Sequence, residues 1–207
     1  IIETKYNLET ANTNLNKFKR NFSLFQFSSQ EIIEYDDFEK LKGIEFGNQN
    51  ASTQLTLIIS PSCGHCHTTF NDAYQLFQKF PEKIRLNILF NINPNNNDNP
   101  FKTIVENLLA LNEQNYKNAQ EAIIDWHINR LDLGIWKSKW TVEIPHILVN
   151  QQVQNQYYWC LKNEFNYTPV KIINHKLFPN GYEINELKYF INSFNEEAKS
   201  EKSLKAV

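Results

Sequence analysis

Apolar residues fall at two spacings along this chain: steps of three and four in some stretches, alternation or short solid runs in others. Leu8, Ala11, Leu15, Phe18, Phe22 and Phe25 are helically spaced. They predict one helix over residues 5–27, packed on its own domain or connecting to a preceding one. Gly43 to Ser52, "GIEFGNQNAS", reads as a short strand and a turn. Leu55 to Ser60, "LTLIIS", is a solid apolar run rich in β-branched residues, as a central strand covered on both faces requires. Pro61 ends it. Phe70, Ala73, Tyr74, Phe77 and Phe80 then predict a helix stopped by Pro81. Lys83 to Asn93, "KIRLNILFNIN", alternates as a second strand, which completes a β-α-β unit.

Beyond the loop "PNNNDNP", Pro94 to Pro100, the spacing is helical for a long stretch. Phe101, Ile104, Val105, Leu108 and Leu109 form one face; Ala119, Ala122, Ile123 and Trp126 form another. Ile135 to Trp140 predicts a short helix. Pro145 opens a further helix with Val149, Val153, Tyr157, Cys160 and Leu161 inward. The pattern then changes. Val170 to Ile173 is a strand, Asn174-His175 a turn, and Lys176 to Phe178 a return strand. Ile184, Leu187, Phe190, Ile191 and Phe194 make a closing helix, and the polar end reads as frayed. Alternation of this kind is that of an α/β fold. The predicted divisions are an N-terminal helical extension over 1–42, a domain over 43–195 with a helical insertion at about 96–162, and a flexible tail over 196–207.

Composition narrows the function classes. At 207 residues the chain is long enough to bury a sizeable core, and 41% of it is hydrophobic. A net charge of -2 speaks against a nucleic-acid binder that relies on bulk electrostatics. No apolar run approaches the ~18 residues of a membrane span, and the first residues lack the form of a signal peptide. The absence of any methionine suggests a piece of a longer precursor from which an anchor or partner domain has been removed.

The chemistry is concentrated in "ISPSCGHCHTTF", Ile59 to Phe70. Cys63 and Cys66 form a C-x-x-C pair on the strand-to-helix turn. The thiolate is the reactive form of cysteine, and a free thiol with a pKa of ~8.5 is little ionised at neutral pH. A helix N-terminus aims N–H groups and the positive end of a dipole at Cys63, and a charged His65 would add to this. Each unit of lowering favours the thiolate by about 1.4 kcal/mol. Stabilising the thiolate stabilises the reduced form and makes the disulfide a stronger oxidant. Cys63, Cys66 and His67 also fit C-x-x-C-H, the attachment signature of a c-type haem. Against haem stand the strand running straight into the motif and the lack of a methionine as sixth ligand, although a histidine could serve. A zinc site would normally show a second C-x-x-C, which is missing.

These residues resemble the thioredoxin superfamily: the strand "LTLIIS", the motif Cys63-Gly64-His65-Cys66 opening a helix, and Thr168-Pro169 before a strand hairpin and a final helix. The helical block between the halves is similar to the insertion of DsbA-like proteins. "GNQNA", Gly47 to Ala51, and "WCLKN", Trp159 to Asn163, further resemble bacterial thioredoxin-like domains fused to vitamin K epoxide reductase (VKOR) membrane domains. The resemblance implies a thioredoxin-like fold, a central mixed sheet flanked by helices, with a helical insertion between its two halves. It implies that Cys63 is the nucleophile, Cys66 the buried resolving cysteine, and Pro169 a cis-proline beside them, with Thr168 offering backbone hydrogen bonds to substrate. The cofactor would be the redox-active disulfide alone. The partners would be protein thiols and disulfides and a VKOR-like membrane oxidase, with no nucleic acid. The compartment would be extracytoplasmic, with membrane tethering of the full-length protein left open. Three positions depart from the family. Leu57 stands where many relatives carry a buried carboxylate, the dipeptide is Gly-His rather than Gly-Pro, and His175 takes a turn position usually held by glycine.

Other reactive residues read as structural. Cys160 lies on an apolar helix face as an inert thiol. His67, on the first turn of the dithiol helix, reads as a surface residue, the alternative being that it tunes Cys66 or binds a metal; His127 and His146 read as surface residues or satisfied partners, and Trp126, Trp136, Trp140 and Trp159 as core of the insertion. Besides the oxidoreductase, two readings stay open: a binding or chaperone-like module on the same scaffold, and a haem carrier.

Overall fold

The computed structural model describes residues 2–205. Helices α1 (Ile2–Lys19) and α2 (Phe22–Ser28) lead into strand β1 (Gln30–Glu31), then β2 (Ile44–Gly47) and β3 (Thr53–Ile59). Helix α3 (Gly64–Lys79) and strand β4 (Ile84–Phe90) follow. The insertion holds α4 (Lys102–Gln114), α5 (Tyr116–His127), α6 (Leu133–Trp140) and α7 (His146–Lys162). Strands β5 (Val170–Ile173) and β6 (Lys176–Leu177), a 3-10 turn (Ile184–Tyr189) and α8 (Ile191–Lys205) complete it.

The six strands form one mixed sheet in the order β1-β6-β5-β3-β4-β2. β3 runs parallel to β4, pairing Ile59 with Phe90, and antiparallel to β5, pairing Ile58 with Val170. Successive side chains of a strand point to opposite faces, and here both faces are covered. Leu55, Leu57 and Ile59 join the larger cluster with Phe70, Ala73 and Leu76 of α3. Ile58 joins the smaller one with Trp159 and Cys160 of α7. That two-sided burial is why "LTLIIS" carries no alternation.

The N-terminal pattern resolves differently from one helix over 5–27. Asn21 interrupts it: its side chain accepts a hydrogen bond from the Leu24 N–H and caps α2. α1 buries none of its side chains, so Leu8, Leu15 and Phe18 lie in solvent. Its last turn is fastened by Lys19 to Glu186 at 2.8 Å, and Arg20, just beyond it, bonds the Tyr189 hydroxyl at 3.0 Å. α2 instead belongs to the core: Phe25 is buried among Phe178, Tyr182, Phe190 and Phe194. β1 pairs with β6, so the sheet reaches into the predicted extension over 1–42. At the other end α8 includes residues 196–205, and 206–207 of the predicted tail lie outside the described residues. The single predicted closing helix is a 3-10 turn followed by α8.

In α7 the inward stripe is Val149, Val153, Gln156 and Cys160, while Tyr157 is half-buried and Leu161 exposed. Gln156 is buried because its amide splices the helix to the sheet, accepting from the Phe90 N–H at 2.8 Å and donating to the Lys42 carbonyl at 2.8 Å. The two short motifs have equally local work. Trp159 donates to the Asp36 carbonyl at 3.1 Å, and Asn163 both accepts from the Glu34 N–H and donates to the Glu34 carbonyl, each at 2.9 Å. "WCLKN" thus ties down the chain between β1 and β2. In "GNQNA" Gly47 has a φ of 87°, which disfavours a side chain. Asn48 accepts from the Asn50 N–H to close the turn.

Candidate active site

Pro61, Ser62 and Cys63 continue from the end of β3, and α3 begins at Gly64. Because β5 lies beside β3 with Val170 opposite Ile58, Thr168 and Pro169 arrive next to that turn. The Thr168–Pro169 peptide is cis. The Thr168 carbonyl oxygen lies 3.5 Å from the Cys63 sulfur and accepts its S–H. Register therefore brings Cys63, Cys66, Thr168 and Pro169 into one place.

Cys63 is the N-cap of α3, and its sulfur accepts the Cys66 N–H at 3.2 Å. Burial opposes its ionisation. Hydrogen bonds with the side chains of Cys66 and Thr168, and from the backbone N–H groups of Cys66 and His65, outweigh that and hold its pKa below the usual thiol value. Cys66 is wholly buried. Burial, followed by its hydrogen bond to Cys63, pushes its thiol up to about 12. The two sulfurs are thus opposites: Cys63 is partly exposed with its thiol pKa lowered, and Cys66 is enclosed with its pKa raised.

His65 is exposed, and among the described residues no hydrogen bond joins its ring to Cys63. Its contribution runs through its backbone N–H. Gly64 faces open space: a Cβ there would meet nothing within 4 Å. Leu57 is buried below the turn, in the cluster with Cys66 and Phe70. Cys160 is buried in the other cluster, and burial pushes its thiol up to about 12. His175 has a φ of 73° in the β5–β6 turn, and its ring packs edge-on against Tyr35.

His67 departs from the surface position expected of it, and His127 takes the satisfied-partner alternative of its expectation. His67 is only 9% exposed and His127 only 2%. Their Nδ1 atoms are 3.0 Å apart, joining the first turn of α3 to the last residue of α5. This geometry does not suit haem attachment, which needs both sulfurs and the His67 imidazole open to one face: Cys66 is enclosed, and the His67 ring is buried against His127. Trp126, beside His127, donates to the Pro61 carbonyl at 3.0 Å. Among the described residues no group of three His, Cys, Asp or Glu stands together as a metal site.

No protein-family model matches the sequence, and no curated protein matches it. Solved structures do match in shape. A linker-deletion mutant of ScsC from Proteus mirabilis superposes with a TM-score of 0.65 at 12% identity, over 94% of this chain and 92% of that one. The fold is thioredoxin-like. A periplasmic thioredoxin-like protein from Salmonella enterica serovar Typhimurium matches with a TM-score of 0.60 at 12% identity, covering 73% of this chain and 89% of that one. The thiol-disulfide exchange protein alpha-DsbA2 from Wolbachia pipientis matches with a TM-score of 0.52 at 21% identity, over 88% and 97%. In this thioredoxin-like fold the insertion between β4 and β5 contributes Trp126 and His127 to the surroundings of the dithiol.

Proposed function

We propose that the chain is a thiol–disulfide oxidoreductase that oxidises protein thiols through Cys63 and Cys66. The observation that carries this is the asymmetry of the pair: a stabilised Cys63 sulfur beside the Thr168 carbonyl, and a Cys66 whose thiol is raised to about 12. A substrate thiolate attacks the Cys63 sulfur of the Cys63–Cys66 disulfide. The new bond joins substrate to Cys63, and Cys66 departs with the electron pair and takes up a proton. Leu57 has none to give, so that proton comes from water. A second substrate thiolate then attacks the substrate sulfur of the mixed disulfide and expels Cys63. Cys63 leaves readily because its thiolate is stabilised. The substrate has gained a disulfide, and the chain holds two more electrons as a dithiol.

Backbone groups at Thr168, beside the Cys63 sulfur, suit an extended client segment. The electrons pass on to a VKOR-like membrane oxidase, a partner supported by the likeness of "GNQNA" and "WCLKN" to VKOR-fused domains. The compartment is extracytoplasmic, where such disulfides persist, in keeping with the periplasmic neighbour from Salmonella enterica. No helix among the described residues is long and apolar enough to cross a membrane. Replacing Cys66 with Ala and expressing the protein in its native compartment tests the reading. Client proteins should accumulate as mixed disulfides on Cys63. Absence of any such adduct, with Cys63 still alkylatable, would overturn it.

A further inference from the structure

Helix α5 ends on the dithiol turn, and its last two residues grip that turn at two points. Trp126 Nε1 donates to the carbonyl of Pro61, two residues before Cys63. His127 Nδ1 meets Nδ1 of His67, one residue after Cys66. The rings are 4.7 Å apart between centroids, and His127 also packs on Phe70 at 5.2 Å.

Burial, then the neighbouring imidazole and the Arg130 guanidinium, holds His127 neutral, and burial and Arg130 act in the same sense on His67. Two neutral imidazoles meeting at Nδ1 share a single proton: one ring donates and the other accepts. Among the described residues His127 Nε2 is buried without a partner. Unpartnered buried N–H groups are rarer than under-used acceptors. The cheaper arrangement therefore leaves that nitrogen bare and puts the His127 proton on Nδ1. His67 accepts it and keeps its own proton on Nε2.

We propose that His127 is a positioning residue for the dithiol, acting through His67 to hold the first turn of α3 in register with the Cys63 sulfur. The inference rests on the redox reading above. The Cys63 thiolate is stabilised by N–H groups of that first turn, including the Cys66 N–H at 3.2 Å. A first helical turn has no intrahelical partners for those N–H groups and frays readily. Fastening His67 on one side and Pro61 on the other keeps them aimed at the sulfur. The helical insertion thereby sets the oxidising strength of a pair it does not itself contain.

The test compares His127→Phe, His127→Asn and His127→Gln with the parent protein. Asparagine carries an amide where Nδ1 stood; glutamine carries it near the Nε2 position; phenylalanine carries none. Two readouts are taken: the pH profile of Cys63 alkylation by iodoacetamide, and the equilibrium constant for exchange with glutathione. His127→Phe and His127→Gln should raise the Cys63 pKa, so that alkylation at a fixed pH below it falls by about threefold or more, half a pKa unit being about that factor. The equilibrium should shift equally toward a weaker oxidant, and His127→Asn should recover most of both. His67→Phe removes the acceptor from the less buried side and should act in the same direction should the His127 variants fail to fold. Unchanged Cys63 profiles in folded His127→Phe or His67→Phe would overturn the inference, as would asparagine behaving no better than phenylalanine. A parent protein that exchanges no disulfide with glutathione would overturn the redox reading itself, and this inference with it.

Discussion

The Cys63 sulfur and the Thr168 carbonyl oxygen are 3.5 Å apart, although 105 residues separate them in the chain. The pairing of β3 with β5 makes the contact, since it sets Val170 beside Ile58 and leaves both active-site turns at one end of the sheet. Between them the chain passes through α3 and the sheet strand β4, then leaves through the insertion α4–α7 and returns as β5.

Reactivity should separate the three cysteines. In the reduced protein, alkylation mapped by mass spectrometry across pH is expected to modify Cys63 first, with its midpoint lower than that of the same thiol in the unfolded chain. Cys66 and Cys160, both raised to about 12, should stay unmodified until the chain unfolds or the solution becomes strongly alkaline. Equal labelling of Cys66 and Cys63 near neutral pH would contradict the geometry.

Stability of the reduced protein should fall as pH rises past ~8.5. Unfolded thiols ionise there, whereas folded Cys66 and Cys160 keep their protons to about 12, so the native state binds more protons over that window and loses stability through it. Cys63 has the opposite sign: its contribution is present above the ordinary thiol pKa and is lost as pH falls through its lowered folded value. Urea midpoints between pH 7 and 10.5 measure the sum. Cys160→Ala should show a smaller alkaline loss than the parent, and an identical slope would count against burial as the cause.

Asn163→Ala should cost about 2–3 kcal/mol, because the N–H and carbonyl of Glu34 lose their partner at once. Its exchange equilibrium with glutathione should not move. A changed equilibrium with unchanged urea stability would mean that Asn163 serves the reaction rather than the link between β1 and β2.

Gly64→Ala should leave the fold intact and raise stability by a few tenths of a kcal/mol up to about 1 kcal/mol, since the new methyl meets open space and the unfolded chain loses freedom. Thermal melts of the reduced protein measure this. A marked fall in the melting temperature would show that the turn needs glycine.

Much of this site was legible because it is local. A solid apolar run, a proline and two cysteines at the start of a helical pattern define a strand-turn-helix without tertiary information. His67 and His127 read as surface or satisfied residues because a histidine carries no fixed preference for inside or outside. Their spacing held the signal nonetheless: His127 continues the Ala119, Ile123 stripe at steps of four, and His67 stands three before Phe70. Gln156 was missed in the same way, since it occupies a core position of the Val149, Val153, Cys160 stripe for the sake of two backbone partners. The break between α1 and α2 turns on one capping side chain, Asn21, inside an otherwise unbroken helical period. His65 is the reverse case: the expectation fell on its ring, and the contact comes from its backbone N–H.

Stabilising the Cys63 thiolate should make the Cys63–Cys66 disulfide an oxidant. The reduction potential of the purified protein, measured by equilibration with glutathione buffers at pH 7, tests this most directly. A value well above the ~-270 mV of a reducing thioredoxin is expected. A value at or below that level would contradict it.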